Sequence, residues 1–208
     1  TREMFVLVPE NVSITKHRIG ESKVYIMDTS MIDACLLAHY LPALMLNQAM
    51  TSFKSQTRQK EWLCTRLLLK FIEGDNATIE YSSNGAPILL HSDKHISISH
   101  SGDFVAIALS TQQVGLDVQV INDKPLRLKS RFLSHREMTL LKSDEDVEGA
   151  VKLWCAKEAV YKYVSKPGTE LIRDIVLEMV DDELMELLRH LHIRFLQHKN
   201  LMVVIAEK

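Results

Sequence analysis

A helix followed by a β-hairpin is written twice along this chain. When the two halves are laid over each other, Lys60, Trp62, Lys70 and Phe71 fall on Lys152, Trp154, Lys162 and Tyr163 at one constant offset. At a slightly larger offset His95-Ile96 fall on His192-Ile193, and the apolar run Phe104 to Leu109 falls on Leu201 to Ala206. A repeated unit of this kind cannot bury its apolar face alone and stacks on its copy. The pattern predicts an α+β fold of two similar halves, residues 1–111 and 112–208, packed face to face with any ligand in the cleft between them.

The second half carries the side chains with the most pointed chemistry. Val114-Gly-Leu-Asp-Val-Gln119 reads as an apolar strand in which Asp117 stands between Leu116 and Val118. A carboxylate there needs solvent, a cation or a partner. Trp154-Cys-Ala-Lys-Glu-Ala-Val-Tyr-Lys162 reads as a helix with Glu158 and Lys162 on one face, acid before base. Lys157 lies about 100° around the axis and serves a neighbouring face. If the strand end meets that helix, Asp117 and Glu158 converge and repel unless a divalent cation sits between them. Hard oxygen ligands of this kind suit Mg2+, which keeps several waters and completes its shell from substrate phosphate. Lys157 and Lys162 would then face those phosphates. Taken singly, a Gly-x-Asp strand is common, and Glu158 with Lys162 is an ordinary solvated pair of about 0.3–0.5 kcal/mol. Their order and combination carry the reading.

Composition narrows the class. At 208 residues, 46% hydrophobic and 25% charged, the chain is an ordinary globular protein with enough length to bury a sizeable core. A net charge of -2 and no long basic run argue against nucleic acid as a ligand. Cys35, Cys64 and Cys155 are widely spaced within apolar helical patterns, which indicates reduced thiols and no zinc site. His190, His192 and His198 follow the periodicity of a helix end and a hairpin, without a carboxylate or Cys at ligand spacing. Met4 to Val8 is too short for a signal-peptide core, and no stretch reaches membrane-spanning length. The expectation is a cytoplasmic protein with no membrane partner, and Thr1 in place of Met suggests a trimmed start.

In chain order, Phe5 to Val8 and Val24 to Met27 read as a strand pair, Ser30 to Met50 as helix broken at Pro42, and Ser52 to Glu73 as helix. Ile96 and Ile98 alternate with Ser97 and Ser99 in a half-buried strand that turns at Gly102-Asp103 and returns as Phe104 to Leu109, leaving His100 near the tip. Such a tip can cradle a phosphate, or its Ser and His can simply satisfy nearby backbone groups. Ser134 to Glu137 fits a capping box. Ile172 to Val180 reads as strand, Asp181 to His190 as a short helix, and Ile193 to Ala206 as a closing hairpin.

Four motifs in this order resemble the 4'-phosphopantetheinyl transferases, specifically the larger monomeric surfactin-synthetase-activating type. Asn84-Gly-Ala-Pro87 is similar to the family's Gly-Lys-Pro turn, and Ile96-Ser-Ile-Ser-His-Ser101 to its strand ending in Ser-His. Val114-Gly-Leu-Asp-Val resembles its Gly-x-Asp strand, and Trp154-x-x-Lys-Glu-Ala-x-x-Lys162 its signature helix. The resemblance implies a pseudo-twofold duplicated fold. It also implies Mg2+-dependent transfer of the phosphopantetheine arm of coenzyme A to a serine of an apo acyl, peptidyl or aryl carrier protein, releasing adenosine 3',5'-bisphosphate. By the same likeness Asp117 and Glu158 hold Mg2+, Glu158 also takes the serine proton, and Lys162 with Lys157 neutralises the pyrophosphate. His100 with Ser99 recognises the 3'-phosphate, helped by Arg58, with Arg66 as the alternate. Two positions depart from the family: Gln119 stands where many members have a third carboxylate, and Ala86 replaces the turn lysine. The first departure opens an alternative, a non-catalytic coenzyme A or carrier-binding module. Lys124, Arg127, Lys129 and Arg131, interleaved with Leu126, Leu128 and Phe132, form either an edge for an acidic carrier helix or an ordinary solvated helix.

Overall fold

The structure is a computed structural model and describes residues 8–208. The strand expected over Phe5 to Val8 lies outside the described residues except for Val8, which is in no strand. The partner of β2 (Ser22–Asp28) is instead β1 (Ser13–Ile19), turned at Gly20-Glu21. Gly20 has φ +55°, and a Cβ there would stand 1.7 Å from the Glu207 carboxylate. That carboxylate fills the turn, accepting from Glu21 N, Ser22 Oγ and Arg194 Nε.

Three helices follow: α1 (Ala34–Tyr40), α2 (Ala43–Ser52) and α3 (Gln56–Glu73). Pro42 breaks the first pair as its missing N–H requires, and Ser55 caps α3 by accepting from Arg58 N. Next come β3 (Ile79–Tyr81), β4 (Pro87–Leu89) and the hairpin β5 (His95–Ser101) and β6 (Phe104–Ser110). The chain then crosses to β7 (Gly115–Val120). The basic segment forms one short helix, α4 (Lys124–Arg127), and a separate 3-10 turn (Lys129–Arg131). Phe132 is buried and α5 (His135–Met138) carries the capping box. The signature helix is α6 (Val147–Val164), and β8 (Leu177–Val180), β9 (Glu183–Glu186), β10 (Leu191–His198) and β11 (Leu201–Glu207) complete the chain.

The helix expected over Asp181 to His190 is not formed. Asp181 and Asp182 adopt positive φ values of 50° and 64°, a conformation that Asp tolerates, and turn β8 into β9. Leu184 and the fully buried Glu186 then point inward at the period of a strand.

Two large antiparallel sheets result, ordered β1-β2-β6-β5 and β7-β11-β10-β9-β8, with β3 and β4 pairing separately as a two-stranded sheet. Every residue of β6 and of β11 is buried, because both faces of each strand are covered. Val105, Ile107 and Leu109 meet Leu67 and Phe71 of α3. Met202, Val204 and Ala206 meet Val151, Ala156 and Ala159 of α6. The alternate residues, Phe104, Ala106 and Ala108 with Leu201, Val203 and Ile205, form a third cluster that joins the two sheets.

The sheets also meet along one seam. The alternating serines of β5 project toward β7, where Ser97, Ser99 and Ser101 hydroxyls accept from the backbone N–H groups of Leu116, Val118 and Val120 at 2.9–3.0 Å. Side-chain hydroxyls thus take the place of a strand's carbonyls, and this β7 edge is left with no unpaired donors at those positions. Gly115 opens β7 where α6 comes closest. A Cβ there would lie 1.9 Å from the Ala159 carbonyl oxygen, so the strand and helix can meet only over a hydrogen.

Candidate active site

A cavity of about 990 Å³ opens beside the β5–β7 seam, walled by α3, β5, β7 and α6 and by the Tyr81-to-Leu89 turn. On α3 it takes Arg58, Glu61, Trp62, Thr65 and Arg66, residues that share one helical face. On α6 it takes Glu158, Tyr161 and Lys162 by the same rule. On β5, Ile96 and Ile98 pack toward the core under α3, so His100 two residues on lies beside that helix with its side chain 37% exposed. Asp117 enters from β7.

Asp117 is buried, and its Oδ1 accepts from Lys162 Nζ at 3.1 Å and from Ser99 Oγ at 3.2 Å. Burial pushes its carboxyl above the ordinary range, opposed by Lys162 and by hydrogen bonds from Cys155 and Ser99. Burial also raises the Glu158 carboxyl, and the Asp117 charge adds to the effect while Lys162 opposes it. Two acids distant in sequence therefore feel each other across one cavity. Among the described residues Glu158 makes no hydrogen bond or ion pair, so its carboxylate is uncommitted. Burial pushes the His100 imidazole below its usual value, and the nearby Glu61 carboxylate is the main opposing influence.

Several expected roles are corrected. Lys157 does not reach the cavity: it is fully buried and donates to Glu137 and to the Leu171 and Ile175 carbonyls. The 100° rotation between neighbours on a helix places Lys157 on the protein side and Glu158 on the cavity side. The Ser99 hydroxyl is likewise occupied, accepting from Val118 N and donating to Asp117, so it orients the acid and is not open to a phosphate. Lys162 does not pair with Glu158 one turn away. Its three protons go to Asp117, Ile98 O and Leu116 O, which ties β5 to β7. Gln119 turns its amide to the Val120 carbonyl and does not line the cavity. Arg58 and Arg66 both do: Arg58 is half-exposed at the rim, while the Arg66 guanidinium lies 3.4 Å from the centre of the Trp62 ring. Glu61 was missed from the sequence, although its spacing of three from Arg58 was visible there.

Among the described residues no group of three or more His, Cys, Asp or Glu side chains is placed to hold a metal ion. A cage built wholly from protein is therefore absent there. Two carboxylates, one uncommitted, both raised by burial and Glu158 also by the Asp117 charge, fit a hard divalent cation that takes its other ligands from water and a bound diphosphate.

The family comparison covers two of these walls, β7 and α6. Residues 113–199, from the start of β7 to the β10–β11 turn, match the family model described as the 4'-phosphopantetheinyl transferase superfamily. Over that stretch the chain is similar to this superfamily. Curated 4'-phosphopantetheinyl transferases agree over similar lengths. The chain is 29% identical over 111 residues to gsp of Aneurinibacillus migulanus, covering 51% of this chain and 46% of the relative. It is 31% identical over 115 residues to AcpT of Escherichia coli (strain K12), covering 50% and 57%. It is 33% identical over 93 residues to Sfp of Bacillus subtilis (strain 168), covering 43% and 41%. The matched stretch spans about half the length of these transferases. No helix among the described residues is long and apolar enough to cross a membrane.

Proposed function

We propose that this chain transfers the 4'-phosphopantetheine arm of coenzyme A to a serine hydroxyl of an apo carrier protein, releasing adenosine 3',5'-bisphosphate. The observation that carries the reading is the convergence of Asp117 and Glu158 on one cavity, within the segment that matches the superfamily. The two halves, 1–111 and 112–208, are read as repeats that meet at the cavity. In support, each sheet runs from a strand preceding a long helix to the hairpin that follows it, β2-β6-β5 in one and β7-β11-β10 in the other. A chain that supplies both walls itself can act as a monomer.

Asp117 and Glu158 would hold Mg2+, which when bound polarises the diphosphate and offsets its charge. The chain's own residues do the rest. Ser99 and Lys162 fix the Asp117 carboxylate from two sides. Lys162 places a positive charge where the bridging phosphate oxygen becomes the leaving group. Glu158, free of other partners, accepts the proton of the attacking serine hydroxyl directly or through water. Arg58 and His100 at the opposite wall receive the 3'-phosphate. The cavity, at about 990 Å³, is at the large end of ligand pockets, and coenzyme A would lie along the seam with its diphosphate at the two acids.

The test is intact-mass analysis of a panel of apo carrier proteins incubated with the chain, coenzyme A and Mg2+. A gain of the phosphopantetheine mass on one carrier is expected. Glu158→Gln should lose roughly a hundredfold or more of that activity while melting like the parent protein. A near-normal rate would remove Glu158 from the chemistry. A binding module without turnover is the second reading, favoured by the Gln119 amide that faces away from the cavity. Calorimetry separates the two, since coenzyme A affinity should respond to Mg2+ only in the enzyme.

A further inference from the structure

Glu61 is a charged group of the cavity wall that the proposed reaction leaves without work. It stands on α3 one turn after Arg58, and its Oε2 is buried with no hydrogen-bond partner among the described residues. A buried carboxylate oxygen without a donor is costly and calls for an explanation. Two nitrogens lie within ion-pair range but outside hydrogen-bonding geometry, His100 Nδ1 at 3.4 Å and Arg58 Nη1 at 3.6 Å. The imidazole is the group whose charge can change near neutral pH.

The charged groups acting on His100 are Glu61 and Arg58 from α3, Lys162 from α6 and Asp117 from β7. Burial and the two cations favour the neutral ring, and the two carboxylates favour the imidazolium. An incoming phosphate monoester would add a further anion on the open side of the ring.

We propose that Glu61 is a positioning residue whose carboxylate accepts a hydrogen bond from His100 Nδ1–H when a ligand phosphate monoester binds at that ring, so that the imidazolium forms there and selects ligands carrying the phosphate. This rests on the reading of His100 as the phosphate-facing residue. The proton balance is simple: the neutral ring takes one proton from solvent, one N–H points to Glu61 and the other to the phosphate, and no bond is broken in the ligand. Glu61 thereby satisfies its buried oxygen only in the loaded state. A charge-assisted bond of this kind is short and strong in a partly buried site.

The experiment compares coenzyme A with 3'-dephospho-coenzyme A by calorimetry, on the full chain, between about pH 4.5 and pH 8.5. His100 ring protons are followed by NMR and assigned by their loss in His100→Ala. The parent protein should prefer coenzyme A, with a preference that declines as the ring loses its proton. Glu61→Gln should lower the His100 midpoint by about one pH unit and cut the preference about tenfold at neutral pH. Its affinity for the dephospho compound should stay within about twofold of the parent. Glu61→Asp, which keeps the charge, should restore part of both effects and guards against a folding defect in the first variant. A Glu61→Gln protein that titrates and discriminates like the parent overturns the proposal with the coenzyme A reading intact. A parent protein that binds both compounds equally removes the His100 reading and the proposal with it, and one that binds neither removes the ligand assignment altogether.

Discussion

Asp117 stands at the centre of the site because its surroundings oppose its charge and its partners restore it. Burial raises the carboxyl, while Lys162 and Ser99 hold it in one rotamer. The pH dependence follows from the direction of the shifts. Both Asp117 and Glu158 are raised, so their protonated forms are favoured by folding. That stabilisation is fully present below the unfolded carboxylate values and is lost as pH rises through the folded ones. The proposed reaction would run the other way, since holding a metal and accepting a proton would need the ionised forms. The acid limb of turnover should therefore lie above the ordinary glutamate value of 4.5. In Asp117→Asn the like charge beside Glu158 is gone, and the Glu158 carboxyl should titrate at lower pH, measurable by NMR of a side-chain-labelled protein. An unchanged or higher Glu158 midpoint would mean that burial alone sets it. At this scale the sequence singled out Asp117 and Glu158, which line one cavity, because a carboxylate in an apolar strand and an acid–base pair on a helix are local signals. It could not tell that Ser99 and Lys162 serve Asp117, since each reaches it across a seam formed only in the folded chain.

The β5 serines show how an element can be read correctly and its purpose misread. Alternation of Ile and Ser gave the strand, and the hydroxyls near His100 suggested a phosphate cradle. In the fold they are acceptors for the β7 backbone, and of Ser99 and His100, which both line the cavity, only His100 makes no such bond. Lys157 was misassigned for a related reason, because neighbouring helical residues face different surroundings and nothing local marks which faces the ligand. Glu137, its buried counter-ion, is supplied by α5 through the capping box, where Glu137 Oε1 also accepts from Ser134 N. Lys157→Ala leaves that carboxylate buried without a cation and should destabilise the protein by about 3–5 kcal/mol in denaturant titrations. Its coenzyme A affinity should be unchanged, the reverse of what a phosphate-binding lysine would show. Gly115→Ala tests the opposite edge of α6. The added Cβ meets the Ala159 carbonyl, so β7 and the helix must separate, with a loss of about 1–3 kcal/mol. Because that shift would also move Asp117 away from Glu158, Mg2+-dependent turnover should fall further than stability alone explains.

For the whole molecule, the sequence pattern pointed to two helix-and-hairpin units, and the fold contains α3 before the β5–β6 hairpin and α6 before the β10–β11 hairpin, but how firmly they are joined was not legible. The apolar face of each sheet is completed by the other, through Ile26, Ala106 and Ala108 against Leu116, Val203 and Ile205. Three serine bonds, the Lys162 bridge and the Glu207 anchor at Gly20 add polar ties between residues far apart in the chain. Neither unit alone would keep its inner sheet face or the β7 edge out of water. The two should therefore unfold together even though each has its own outer core under α3 or α6. The chain carries natural reporters for this, since its two tryptophans, Trp62 and Trp154, lie on α3 and α6. In Trp154→Phe the remaining fluorescence reports the first unit, and in Trp62→Phe it reports the second. After allowance for each substitution's own effect on stability, both should give one denaturant transition coincident with far-UV circular dichroism and with the same slope. Two separated transitions would show that the inner cluster does not couple the sheets, and the spacing between Asp117 on β7 and the α3 wall of the cavity would then be free to vary.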